Sequence, residues 1–288
     1  MAVAGDVVRC GSVRVPATPA IAADARLRGV PFFDVDDLHL YYEVHGEGPP
    51  LLMITGSGND LRLSSPATHP LNRNFETLFY DQRGLGQTSI GPPNPTMADF
   101  ADDAARVIGA HGWESCHVMG SSFGGMVALH LALRHPEVID RLVLCCTSPG
   151  GAMASYPLHD LAELTEAERD ARRLELNDQR AADDDEVAAW VRRYMAFGEN
   201  PPETTAGVAG SVQQMKARRT HDVLADLGSI AAPTLVCAGR YDGIAPLANS
   251  ERLAADIPNA TLEVFEGGHP FVLQDRRALA RIRDFLLD

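Results

Sequence analysis

The chain has no apolar run approaching the ~18 residues of a membrane-crossing helix, so no transmembrane helix is expected. No signal peptide is expected at the N-terminus as given, because Asp6, Arg9 and Arg14 interrupt every stretch that could serve as an apolar h-region. Basic charge is scarce: 25 Lys+Arg stand against 39 Asp+Glu, a formal net charge of −14. That balance argues against a nucleic-acid binder, whose phosphate contacts need clustered cations. It argues equally against a protein held on anionic lipid. The five cysteines, Cys10, Cys116, Cys145, Cys146 and Cys237, include no Cys-x-x-Cys pair and no metal-ligand spacing. Neither a disulfide framework nor a metal site is expected, and the four cysteines after Cys10 read as buried small hydrophobes in strands. These absences favour a cytoplasmic protein.

What is present is an ordinary globular composition. The 45% apolar content of the 288 residues suffices for a core. Residues 1–30 read as a loosely attached extension. The Phe32-Phe33-Asp34-Val35 and Tyr41-Tyr42-Glu43-Val44 runs, with Asp36-Asp37 between, read as a hairpin. Short continuous apolar runs follow at 51–54, 77–80, 116–119 and 142–146. Helical patterns lie between some of them, at about 96–111 and 122–134. Strands buried on both faces that alternate with helices imply a parallel sheet covered by helices on each side.

The alternation lapses from 150 to 226, where no strand is convincing and 161–177 and 186–197 read as helices. It resumes with a strand at 234–238, a helix at 247–255, a strand at 261–265 and a terminal helix from Phe271. A helical stretch of that length exceeds a connecting loop. The expected organisation is therefore an α/β core of 31–149 and 227–288 with a helical cap of 150–226 inserted in it.

Gly120-Ser121-Ser122-Phe123-Gly124 fits Gly-x-Ser-x-Gly between an expected strand and an expected helix. A nucleophile at so sharp a turn takes a strained backbone, and flanking glycines let the helix approach the sheet. Ser122 is the candidate nucleophile, since it alone of the two serines has glycine at both −2 and +2. A serine hydroxyl needs a general base, and the base an orienting acid. Asp242 follows the 234–238 strand and His269 follows the 261–265 strand, so both lie in loops at strand ends, where sites in such sheets form. The order Ser, acid, His is the one this elbow calls for. Oxyanion donors are expected from the Phe123 N–H and from the loop Thr55-Gly56-Ser57-Gly58, with Ser57 first and Gly56 second.

With these motifs, and with Asp81-Gln82-Arg83-Gly84-Leu85-Gly86-Gln87-Thr88-Ser89, Gly239-Arg240-Tyr241-Asp242 and Gly268-His269, the chain resembles the α/β-hydrolase superfamily in its capped single-domain form. The resemblance runs from about Phe32 to Leu287. It implies the α/β-hydrolase fold, a Ser122–Asp242–His269 triad and no cofactor. It gives the 81–89 segment an architectural role, so Arg83 is not counted as catalytic. Family members often carry His-Gly where this chain has Thr55-Gly56, which bears on how the oxyanion loop is arranged. Serine at the nucleophile position disfavours relatives that use Asp.

The expected activity is hydrolysis of a carboxylic ester, lactone or thioester through an acyl-enzyme. The same triad would serve C–C bond hydrolysis, acyl transfer or a lyase or cyclase step, and the scaffold also serves non-catalytic ligand binders. Asn59, Met153, Tyr156, Trp190, Tyr194 and Phe197 are the candidate substrate-lining residues. The acidic surface favours a neutral or modestly charged small molecule over a polyanion. Oligomeric state is not legible.

Overall fold

The computed structural model describes residues 32–35, 38–198 and 205–288. Among the described residues, eight strands form one sheet in the order β1-β2-β4-β3-β5-β6-β7-β8. They are β1 (Phe32–Val35), β2 (Leu38–His45), β3 (Pro50–Ile54), β4 (Glu76–Tyr80), β5 (Cys116–Ser121), β6 (Ile139–Cys145), β7 (Thr234–Gly239) and β8 (Ala260–Phe265). The pairs β1–β2 and β2–β4 are antiparallel and every other pair is parallel. The helices are α1 (Leu61–Ser64), α2 (Met97–Ala110), α3 (Phe123–Arg134), α4 (Glu166–Asn177), α5 (Asp185–Gly198), α6 (Thr205–Arg219), α7 (Leu247–Asp256), α8 (Phe271–Gln274) and α9 (Arg277–Leu287). The expected extension at 1–30 and the Asp36-Asp37 turn lie outside the described residues.

The central strands read as continuous apolar runs because both their faces are covered. Alternate residues leave a strand on opposite sides. Leu52 and Ile54 of β3 join Phe100, Val107, Phe123, Val127 and Leu253 in the core under α2, α3 and α7. Leu51 and Met53 join Val143, Leu235, Ile282 and Phe285 in the core under α9. Cys116, Cys145, Cys146 and Cys237 are buried free thiols in these two layers.

Between β6 and β7 the chain is helical, as the lapse in alternation predicts, but the helices differ from those expected. The stretch read as one helix over 161–177 is a 3₁₀ turn at Leu158–Glu163 followed by α4. The break is a capping box: Thr165 Oγ1 accepts from the Glu168 N–H at 3.4 Å, and the Glu168 carboxylate accepts from the Thr165 N–H at 3.0 Å. The α6 helix falls within the expected helical cap, but no individual helix is expected there. Its Gly207 and Gly210 interrupt any apolar period, and Gly210 has a packing reason to be there. A Cβ added at Gly84 of the 81–89 loop would stand 2.6 Å from the Gly210 Cα, so the two backbones touch. The terminal helix is likewise two pieces, with the Arg277 N–H donating to Asp275 Oδ1 at 3.0 Å where α9 begins.

The 81–89 loop is anchored from below. Arg83 donates to the buried Asp103 of α2 from Nε at 2.7 Å and Nη2 at 2.8 Å. Asp81 accepts from the Leu61 N–H at 2.7 Å and the Gln87 N–H at 2.8 Å. Burial nevertheless pushes the Asp81 carboxyl up to about 6.

A pH dependence of stability follows. Burial pulls His69, His130 and His221 from 6.5 down to about 4. As pH falls below 6.5 the unfolded chain takes up these protons first, so the stabilising contribution is complete above 6.5 and is lost towards 4. Asp81 acts in the opposite sense, since its raised value favours the fold at low pH and loses that contribution between 3.8 and about 6. Three groups outweigh one, so the melting temperature falls as pH drops through this window. Thermal melts against pH check it, and a melting temperature that holds or rises on acidification contradicts it.

Candidate active site

Ser122 sits between the end of β5 and the start of α3 at φ 55°, ψ −117°. A non-glycine residue held there carries strain of order 1–3 kcal/mol. Neighbouring groups impose the geometry. The Ser122 N–H donates to the Cys145 carbonyl at 2.9 Å. The Ser122 carbonyl accepts from the Gly125 and Met126 N–H groups at 3.0 and 3.2 Å and from Thr147 Oγ1 at 2.8 Å. The turn closes only without side chains beside it. A Cβ on Gly124 would run into the backbone of Ile54 and Thr55. Gly124→Ala is therefore expected to destabilise the fold by about 1–3 kcal/mol or more. Chemical denaturation measures this, and an unchanged midpoint contradicts it.

Three side chains from three loops meet at this turn. His269 Nε2 lies 3.0 Å from Ser122 Oγ, and His269 Nδ1 lies 2.8 Å from Asp242 Oδ2. The other oxygen of Asp242 accepts from the Ile244 and Ala245 N–H groups at 2.8 and 2.9 Å. Asp242 is 2% exposed. Because an ionised carboxylate only accepts, Nδ1 of the ring must donate. In the neutral imidazole, Nε2 is then free to accept the serine proton. Asp242 follows β7 and His269 follows β8, the strand ends from which the sequence order predicts them.

The turn after α4 supports both loops, and no sequence pattern marked it. The Leu176 carbonyl accepts from the Gly243 N–H at 3.0 Å, and the Asn177 carbonyl from the His269 N–H at 2.6 Å. The Gln179 N–H donates to the Tyr241 carbonyl at 2.9 Å. Asp178 is fully buried and anchors the segment: it accepts from Arg180, and from Gln274 Nε2 at 2.9 Å. Gln274 in turn accepts from the Gly268 N–H at 2.8 Å. Burial opposes the Asp178 charge, yet the Arg180 guanidinium and the Gln274 amide hold its carboxyl below the usual carboxylate range. Removing this anchor loosens the peptide that carries His269. Asp178→Ala is expected to lower kcat about 10- to 100-fold, since small misplacements of a base cost that much. Asp178→Asn, which can still accept from Gln274, recovers part of the loss. An Ala variant that folds with unchanged kcat contradicts the linkage.

The Phe123 N–H heads α3 with no carbonyl one turn back to claim it. Gly56 and Ser57 line a cavity of about 390 Å³ together with Ser122 and His269. A Cβ on Gly56 would stand 3.5 Å from the Ser122 Cβ. Thr55, at the position of the family's usual histidine, is braced on both sides. Gln82 Nε2 donates to the Thr55 carbonyl at 2.8 Å, and Thr55 Oγ1 donates to the Asn59 carbonyl at 3.2 Å. From α6, Gln214 Oε1 accepts from the Gly58 N–H at 2.8 Å.

Asn59 and Tyr194 line this cavity and an adjoining one of about 630 Å³, which Trp190 also lines. Trp190 and Tyr194 stack with centroids 5.7 Å apart. Burial pushes the Tyr194 hydroxyl up to about 12. Met153 and Tyr156 line neither cavity. The Tyr156 ring instead lies 5.0 Å from the Arg172 guanidinium, and the side chain packs against the cluster of Leu161, Leu176 and Ile244. The side chain of Phe197 lies outside the described residues. Lining residues that the sequence did not single out include Cys146, Met195 and Leu273 near Ser122, and Met53, His69 and Phe79 in the larger cavity. Met53 and Phe79 are indistinguishable from core residues in a strand.

The family model described as the alpha/beta hydrolase fold matches residues 49–275, and the chain belongs to that family. A relative from Azorhizobium caulinodans, named carbamate hydrolase RutD, is 30% identical over 255 residues, 84% of this chain and 92% of that protein. One of the same name from Variovorax paradoxus is 31% identical over 268 residues, 86% of this chain and 96% of that one. Among solved structures, a hydrolase from Pseudomonas aeruginosa has 30% identity and a TM-score of 0.70, covering 88% of this chain and 97% of its own. An enol-lactonase from Burkholderia xenovorans shares the fold, with a TM-score of 0.73 at 21% identity over 90% of this chain and all of that one.

Proposed function

We propose that the chain is a serine hydrolase that cleaves a carboxylic ester, lactone or thioester through an acyl-enzyme. The observation that carries this reading is the unbroken chain Ser122 Oγ, His269, Asp242, at 3.0 and 2.8 Å, opening on a cavity. Ser122 Oγ attacks the carbonyl carbon as its proton passes to His269 Nε2. Asp242 stabilises the imidazolium, and the N–H groups of Phe123 and Ser57, with Gly56 behind them, receive the oxyanion. Collapse of the tetrahedral intermediate expels the leaving group, which takes the proton from His269. A water deprotonated by His269 then cleaves the acyl-enzyme.

Asn59, Trp190 and Tyr194 contact substrate in this reading, and the apolar walls of the larger cavity favour an apolar substituent. The carbamate hydrolase name of the relatives adds a carbamate carbonyl to the candidate electrophiles. The four described cysteines are unpaired and buried, which suits a reducing compartment, the cytoplasm. No helix among the described residues is long and apolar enough to cross a membrane.

The test is a panel of aryl esters, lactones, thioesters and aryl carbamates offered to the purified chain. Turnover of at least one class is expected, lost on Ser122→Ala. Turnover that survives the substitution refutes the reading, as does a panel without any turnover.

A further inference from the structure

A second cavity, of about 470 Å³, lies between the chain leaving β6 and the C-terminal end of α6. None of its lining residues lines the catalytic cavity. Ser148, Ala154, Ser155, Arg218 and Arg219 are among its walls. Arg218 donates from Nη2 to Ser155 Oγ at 2.7 Å and to the Tyr156 carbonyl at 2.8 Å. Both acceptors are neutral. The donors on Nε and Nη1 have no hydrogen-bond partner, and no carboxylate pairs with the guanidinium, among the described residues.

Arg83 and Arg180, by contrast, sit on Asp103 and Asp178. The chain as a whole carries a net charge of −14. Among the described residues, none of the other titratable groups in the walls forms an ion pair with Arg218. Asp222 accepts from the Leu224 N–H at 3.1 Å and packs against Gly151. His159 pairs with Asp160 at 3.2 Å. His221 is neutral, bonded to the Ser148 carbonyl at 2.9 Å and to His130 at 3.1 Å. Partial burial pulls the Arg218 guanidinium down to about 10, the response of a cation partly withdrawn from water without a counter-charge.

Arg218 is partly buried, and a cation drawn from water without a counter-charge favours an anionic partner. We propose that this cavity binds a small oxyanion, a carboxylate or a phosphate, on the free donors of Arg218, with Arg219 at its rim. Charge-assisted hydrogen bonds from a guanidinium suit such a ligand, and a cavity of this size holds one together with the small organic acid that carries it.

Calorimetric titration of the full chain near neutral pH, with inorganic phosphate and separately with acetate, tests the site. A single saturable site for at least one of the two is expected, weakened about tenfold or more in R218Q, as loss of a charge-assisted contact requires. Whichever anion binds identifies the source of the oxyanion. A154F fills the cavity from a wall that makes neither Arg218 hydrogen bond. It is expected to weaken binding likewise, so the test survives if R218Q fails to fold. Absence of saturable binding in the millimolar range overturns the proposal, as does equal affinity in the wild type and a folded variant.

Discussion

Ser122→Ala lowers kcat by about 10⁴-fold or more, with the residual rate still well above that in water. The substitution removes one oxygen and little else. Asp242 keeps the Ile244 and Ala245 N–H groups and His269 Nδ1, and the backbone contacts of residue 122 to Cys145, Gly125 and Met126 do not involve the side chain. The proposed oxyanion donors are backbone groups and persist, which is why a residual rate is expected. Alanine suffers the same strain at φ 55° as serine, so stability stays near that of the wild type. Steady-state kinetics beside a thermal melt separates lost chemistry from lost fold. A folded Ala variant that keeps a tenth of the activity contradicts the assignment.

Asp242→Asn lowers kcat by a comparable factor, about 10⁴-fold, for a different reason. Oδ1 of Asp242 accepts from two backbone N–H groups, so the amide oxygen of asparagine takes that position and the NH₂ is forced towards His269. Nδ1 must then accept, the ring carries its proton on Nε2, and Nε2 no longer takes the proton of Ser122. The geometry is preserved and the tautomer is wrong. The expected kinetics are a fall in kcat with little change in KM, recovered in part as pH rises and hydroxide replaces the base. A loss below tenfold places the orienting acid elsewhere.

These effects depend on features of unequal legibility. Ser122, Asp242 and His269 are readable because each stands in a short loop directly after a strand, and the strands are readable because burial on both faces makes them continuous apolar runs. The α6 helix is unreadable because Gly210 serves a close approach to Gly84, a demand set by a loop more than a hundred residues away in the chain. The same holds for the 176–180 segment. Asn177 acts through its carbonyl, which every residue has, and Asp178 through a partner at 274. Trp190 and Tyr194 face the cavities while Met153 and Tyr156 do not. A helical stripe records that a face is covered, not whether a core or a substrate covers it. Thr55 is a departure whose meaning needed coordinates: Gln82 and the Thr55 hydroxyl brace the turn that contains Ser57.

The most direct measurement is the intact mass of the enzyme quenched during turnover of a slowly deacylating ester, followed by peptide mapping. An adduct of the acyl group's mass on the peptide containing Ser122, absent in Ser122→Ala, is the predicted result. Turnover with no covalent adduct, or an adduct on any other residue, would contradict the account.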